Sequence, residues 1–148
     1  GEHVATQALT VGKRVLRAKL VPPVDIQAEL AGLSVLAASG IGRPEKFAAT
    51  LRAAGARLAG ERAYGDHHAY SDADVAALIG DAKAKACRIA VTEKDMVKLA
   101  PLWPAAERSL LLCVPVTLVF EDDAALDALL RHAVVKARSA AAGASHAQ

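Results

Sequence analysis

Residues 33 to 48 read L-S-V-L-A-A-S-G-I-G-R-P-E-K-F-A, and this stretch decides the fold. Leu33 to Ala38 is a short apolar run bounded by Gly32 and Gly40, the form of a buried strand. It leads straight into Ser39-Gly40-Ile41-Gly42-Arg43, after which Pro44 suits the first turn of a helix and Glu45 complements its dipole. Phe47, Ala48, Leu51 and Ala54 supply the apolar stripe, and Gly55 is placed to cap its end. A strand, a glycine turn and a helix in this order present backbone N–H groups at the helix start, where an anion is favoured. No G-K-[ST] follows, so this is not a P-loop, and glycines in a tight turn serve the fold equally well.

Outward from this unit the pattern repeats. Residues 56–64 read as a second strand, and Ser71 with Asp74 as the capped start of a helix over residues 72–86, with Val75, Leu78, Ile79 and Ala82 on one face. Arg88 to Val91 is a third strand, and Thr92 with Asp95 opens another helix carrying Met96, Val97 and Leu99. Ser109–Cys113 and Val116–Phe120, parted by Pro115, read as two more strands, and residues 122–137 as a closing helix with Leu126, Leu129, Leu130 and Val134. Ahead of the core, residues 1–20 have a helical pattern rich in Lys13, Arg14, Arg17 and Lys19, a basic face suited to solvent or to an anionic membrane surface. Pro22-Pro23 breaks it, and residues 24–32 read as a connector with at most a short helical turn. The expected organisation is therefore a basic lead-in helix and connector (1–32), an α/β domain (33–138) and a flexible Ala/Ser/Gly-rich tail (139–148). Alternating strands and helices predict a Rossmann-like three-layer α/β sandwich whose mainly parallel sheet has about five strands.

Composition narrows the function classes. A chain of 148 residues can bury one real core, and a hydrophobic fraction of 53% excludes disorder as its main state. Phe47, Tyr64, Tyr70, Trp103 and Phe120 are its only aromatic side chains, and the net charge is +2, so nucleic-acid binding is disfavoured. Cys87 and Cys113 form no C-x-x-C and no metal-ligand spacing with the histidines; lying in or beside buried segments, they read as reduced and structural, which suits a cytosolic compartment, with no metal site expected. No apolar run reaches the ~18 residues of a membrane span. Gly1-Glu2-His3 opens like an internal cut and not like a signal peptide.

Chemistry concentrates in residues 64–74, Y-G-D-H-H-A-Y-S-D-A-D. Asp66, His67 and His68 can accept, donate and relay protons near neutral pH, whereas packing alone does not favour such groups. Ligands of open parallel sheets gather beyond the carboxyl ends of the strands. Gly40 to Arg43, Asp66 to His68 and Thr92 to Asp95 are all expected on that edge, so three polar clusters converge there.

The motifs G-I-G-R-P-E-K-F (40–47), D-H-H-A-Y-S-D-A-D (66–74) and V-T-E-K-D-M-V-K-L (91–99), in this order and spacing, resemble the C-terminal half of the tetraacyldisaccharide 4'-kinases of Gram-negative bacteria. The likeness runs from about Lys19 to Leu130. It implies a role in lipid A and lipopolysaccharide synthesis: transfer of the ATP γ-phosphate to the 4'-hydroxyl of a tetraacyldisaccharide 1-phosphate, giving lipid IVA, at the cytoplasmic face of the inner membrane. It further implies that ATP and Mg²⁺ are bound mainly by an N-terminal P-loop half absent from these residues. The partners would then be that half and the lipid A precursor, with peripheral membrane contact and no nucleic acid. A free fragment would be cytoplasmic and inactive alone. By motif, the catalytic roles fall on Asp66 and His67, the histidine pairing with an aspartate base from the N-terminal half. From their position, Gly40, Gly42, Arg43, Thr92 and Lys94 are candidates to meet phosphate or substrate, and His68 is assigned no role. Tyr64-Gly65 stands where the family has phenylalanine-proline, and Ala48 where a second phenylalanine is usual, so less aromatic bulk is expected around the site. Two other readings compete: a non-catalytic Rossmann-like binding domain, and a D-H-H metal phosphoesterase. The latter needs D-x-D clusters upstream, and only Glu2, Asp25, Glu29, Glu45 and Glu61 precede Asp66.

Overall fold

A computed structural model describes residues 16–144 of the chain, with side chains described over residues 16–137. The element order is β1 (Ala18–Val21), α1 (Val24–Leu30), β2 (Ser34–Ser39), α2 (Pro44–Ala53), β3 (Arg57–Ala63), α3 (Asp72–Ala84), β4 (Arg88–Val91), α4 (Glu93–Leu99), a 3₁₀ segment (Ala105–Leu110), β5 (Leu111–Cys113), β6 (Thr117–Phe120) and α5 (Asp123–Ala144). By its contacts the chain divides at Leu20 and Thr117 into a central unit between them and a second unit drawn from the residues on either side.

The central unit is a parallel sheet in the order β3-β2-β4-β5. Alternation along the strands sends Leu36, Ala38, Ile89 and Val91 into one core with Val75, Leu78 and Ala82 of α3 and Leu99 of α4. The intervening Val35, Ala37 and Ala90 pack into a second core with Leu30 of α1 and Phe47 and Leu51 of α2. Helices thus cover both faces, which makes the three layers expected. β2 and β4 are buried on both sides, as a strand inside a parallel sheet must be.

Several sequence expectations are corrected. The parallel sheet has four strands and not five. Val114 still donates to the Val91 carbonyl (2.9 Å), but Pro115 has no N–H to continue the ladder, and Thr117–Phe120 pairs instead with β1 in a separate two-stranded sheet. Ser109 and Leu110 belong to the 3₁₀ segment and not to a strand. That segment is fastened by the Trp103 indole N–H donating to the Glu107 carbonyl (2.9 Å). Ala18 to Leu20, expected as the end of a basic helix, are extended: Pro22 disfavours helical backbone just before it, and β6 supplies a partner. The rest of that expected helix, residues 1–15, lies outside the described residues. The connector holds a true helix, α1, anchored by the fully buried Leu30. α5 runs past residue 138 to Ala144, into the stretch expected to be a loose tail. Its Leu129, Leu130 and Val134 are exposed. Among the described residues no helix is long and apolar enough to cross a membrane.

Candidate functional site

The carboxyl ends of β2, β3 and β4 each release a polar loop, and hydrogen bonds tie the three together. Gly40, at the end of β2, donates its N–H to Asp95 Oδ2 (3.1 Å). A Cβ at Gly40 would lie 3.1 Å from Asp95 Oδ1, 3.3 Å from the Tyr70 hydroxyl and 3.4 Å from the Gly65 carbonyl, so the close approach leaves little room for any side chain there. Gly42 faces the D-H-H loop; a Cβ on it would meet Asp66 Oδ2 at 3.9 Å. Arg43 is the N-cap residue of α2, and its exposed side chain makes no hydrogen bond or ion pair among the described residues.

After β3 the chain turns through Gly65, where the His68 N–H donates to the Gly65 carbonyl (3.0 Å). Asp66 Oδ1 accepts from Lys94 Nζ (3.1 Å) and from the His67 N–H (3.0 Å). The Lys94 hydrogen bond holds the Asp66 carboxyl below the usual carboxylate range. His67 Nε2 lies 3.7 Å from Asp66 Oδ2, with its side chain 78% exposed. Its φ of 62° is left-handed, a conformation uncommon for a residue with a Cβ. His68 points the other way: its Nε2 meets Asp74 Oδ2 at 3.2 Å and its ring stacks on Tyr64 (centroids 4.8 Å apart). It is a wall of the loop, not part of the open corner.

Helix starts fix the frame. Ser71 and Asp74 form the capping box foreseen from the sequence, the Ser71 hydroxyl accepting from the Asp74 N–H (3.2 Å) and the Asp74 carboxylate from the Ser71 N–H (2.9 Å). Hydrogen bonds from Ser71, then from His68, draw the Asp74 carboxyl below its usual range. Since the folded state binds fewer protons at Asp66 and Asp74, their stabilisation is present above the unfolded carboxylate pKa of about 4 and is lost as pH falls through the lower folded values. Urea midpoints measured across the acid range should therefore fall less steeply in Asp74→Asn than in the wild type. Parallel acid limbs would contradict this.

Thr92 caps α4, its hydroxyl donating to Asp95 Oδ2 (2.7 Å) and accepting from the Asp95 N–H (3.2 Å). Thr92 and Lys94, candidates for ligand contact, thus already have partners within the protein. The sequence places Asp95 on this edge only as a helix cap and assigns no role there to Tyr64, Tyr70 or Lys98. Asp95 is completely buried and receives the Tyr70 hydroxyl at Oδ1 (3.1 Å). Burial, then the Asp95 charge, pushes the Tyr70 phenol far above its ordinary pKa. Lys98 donates to the His68 carbonyl (2.9 Å), and Tyr64 packs edge-on to Tyr70 (5.0 Å). Tyr64, His68 and Tyr70 together supply the aromatic bulk expected to be missing. Only T-x-x-D hinted at Asp95, and that signal is equally a plain helix cap. Among the described residues no three His, Cys, Asp or Glu side chains gather into a group that could hold a metal ion.

No solved structure matches the chain significantly. The family model for tetraacyldisaccharide-1-P 4'-kinase matches residues 2–135. Among curated proteins, a tetraacyldisaccharide 4'-kinase of Bradyrhizobium sp. (strain ORS 278) is 39% identical over 140 residues, which is 94% of this chain and 42% of that protein. One from Methylobacterium nodulans is 46% identical over 127 residues (85% and 36%), and one from Xanthobacter autotrophicus 41% over 138 residues (90% and 40%). The chain spans about two fifths of the length of these relatives, as the shares of 42%, 36% and 40% show. With the family model covering nearly all of it, the chain belongs to the tetraacyldisaccharide 4'-kinase family.

Proposed function

We propose that this chain is the C-terminal part of a lipid A kinase, which transfers the ATP γ-phosphate to the 4'-hydroxyl of a tetraacyldisaccharide 1-phosphate to give lipid IVA. The observation that carries the reading is the D-H-H corner inside the matched span. Asp66 and His67 stand together on the ligand-binding edge of the sheet, with His67 held at φ 62°. Non-glycine residues in that region persist where surroundings impose it, and they cluster at functional sites.

In this reading Asp66, ionised and steadied by Lys94, orients the His67 ring. The other ring nitrogen then faces an aspartate base from the N-terminal half and helps it take the proton of the attacking hydroxyl. Gly40, Gly42, Arg43, Thr92 and Lys94 form the rim facing phosphate and the disaccharide. Residues 33–138 act as the C-terminal domain of an enzyme that works peripherally at the cytoplasmic face of the inner membrane. The residues present do not fit ATP and Mg²⁺ by themselves. The sequence has no G-x-x-x-x-G-K-[ST], and the described residues offer no cluster of metal ligands. The nucleotide cradle is therefore assigned to the N-terminal half.

Co-expression with an N-terminal half from one of the relatives tests this. Lipid 4'-phosphorylation should appear with both halves present and with neither alone. Halves that associate without activity, or turnover by this chain by itself, would contradict the reading.

A further inference from the structure

Asp66 and His67 are 50% and 78% exposed at their side chains, so packing does not hold them where they are. What surrounds them is held. Helix α4 grips the D-H-H loop at three places: Lys94 at the Asp66 carboxylate, Lys98 at the His68 carbonyl, and Asp95 at the Tyr70 hydroxyl. Through its second oxygen Asp95 also accepts the Gly40 N–H and the Thr92 hydroxyl, so one carboxylate joins all three edge loops. Ser39 and Asp95 are the buried polar side chains among the described residues, and Asp95 alone of the two is ionisable. Such a group is stable only while its donors stay in place, which makes the loops move as one.

We propose that Asp95 is a positioning residue: by binding Tyr70 and Gly40 together it sets the geometry of the Asp66–His67 corner, so T-E-K-D acts as a clamp on that corner. The left-handed backbone at His67 fits this arrangement, because strained residues need neighbours that over-determine them, and here the clamp supplies those neighbours on both sides. Tyr70 is the coupling arm. It reaches Asp95 by its hydroxyl while its ring packs against Tyr64 and His68, which puts the wall of the loop and the anchor in one contact chain. The catalytic consequence rests on the kinase reading; the coupling between loops does not.

The test uses Tyr70→Phe and Asp95→Asn, singly and together. In this chain, amide hydrogen exchange at Gly40 reads the clamp. Tyr70→Phe keeps the ring packing and does not remove the Gly40 acceptor, yet it should speed Gly40 exchange about tenfold. Asp95→Asn should speed it further, and the double variant should add little to Asp95→Asn. In the reconstituted kinase, misplacing the corner should lower kcat about 10²-fold with KM unchanged for both substrates. A merely structural role would reduce the folded fraction and leave the kcat of the folded enzyme intact. Gly40 exchange indifferent to Tyr70→Phe would overturn the coupling, and unchanged kcat despite faster exchange would overturn the positioning role. If wild-type halves associate without activity, the kinase reading falls and takes the catalytic consequence with it, while the exchange result still decides the coupling.

Discussion

Asp95→Ala should lower the stability of the chain by about 3 kcal/mol or more, read as a shift of the urea midpoint. The side chain it removes has no exposure, and three donors would lose their acceptor at once: the Gly40 N–H and the Tyr70 and Thr92 hydroxyls. Each buried group left unpaired costs about 1–3 kcal/mol, and the total falls short of the sum because hydroxyls rotate and water can enter the space left. Asp127→Ala is the matched control. Asp127 pairs with Arg131 on α5 with both side chains largely exposed, and such a pair contributes about 0.5 kcal/mol or less. A loss at Asp95 no greater than that at Asp127 would show that the three hydrogen bonds to Asp95 do not stabilise the fold.

His67→Gly should move activity and stability in opposite directions. Glycine adopts φ 62° without the Cβ clash, so the variant should be as stable as the wild type or more so, by up to about 1 kcal/mol. Loss of the imidazole should meanwhile lower the activity of the reconstituted kinase by about 10²-fold or more, the scale of a lost acid–base partner. Ala86, also left-handed at φ 46°, follows α3 away from the D-H-H corner. Ala86→Gly should therefore give a comparable stability gain with activity retained. If His67→Gly destabilised the chain, the backbone there would owe its shape to the imidazole and not to the clamp.

How much of this was legible in the sequence depends on how local each cause is. The buried strand over residues 33–38, the Pro44 helix start and the caps at Ser71 and Thr92 are written in contiguous residues, and they appear where their patterns place them. The position of the D-H-H loop was legible for a different reason: right-handed βαβ units force all three loops to one edge. β1 was misread because Ala18–Val21 alternates too weakly to mark a strand, and only pairing with β6, about a hundred residues later, makes it one. The end of the sheet was misread because Pro115 looks like a gap between two like strands, when it is the point where the ladder stops. The cap at Asp95 is legible in the sequence, but its complete burial is not. Its burial depends on Gly40 and Tyr70, residues 55 and 25 positions away, and no local pattern separates a surface helix cap from a cap that three loops close over.

In the proposed function Asp66 and His67 are the chemical contribution of this chain to a shared kinase site. The most direct measurement is lipid 4'-phosphorylation by the co-expressed halves, wild type against His67→Ala, with the amount of associated complex matched. The wild type should be active, and the variant should lose about 10²-fold or more of that activity at equal association. Equal activity from both proteins would contradict it.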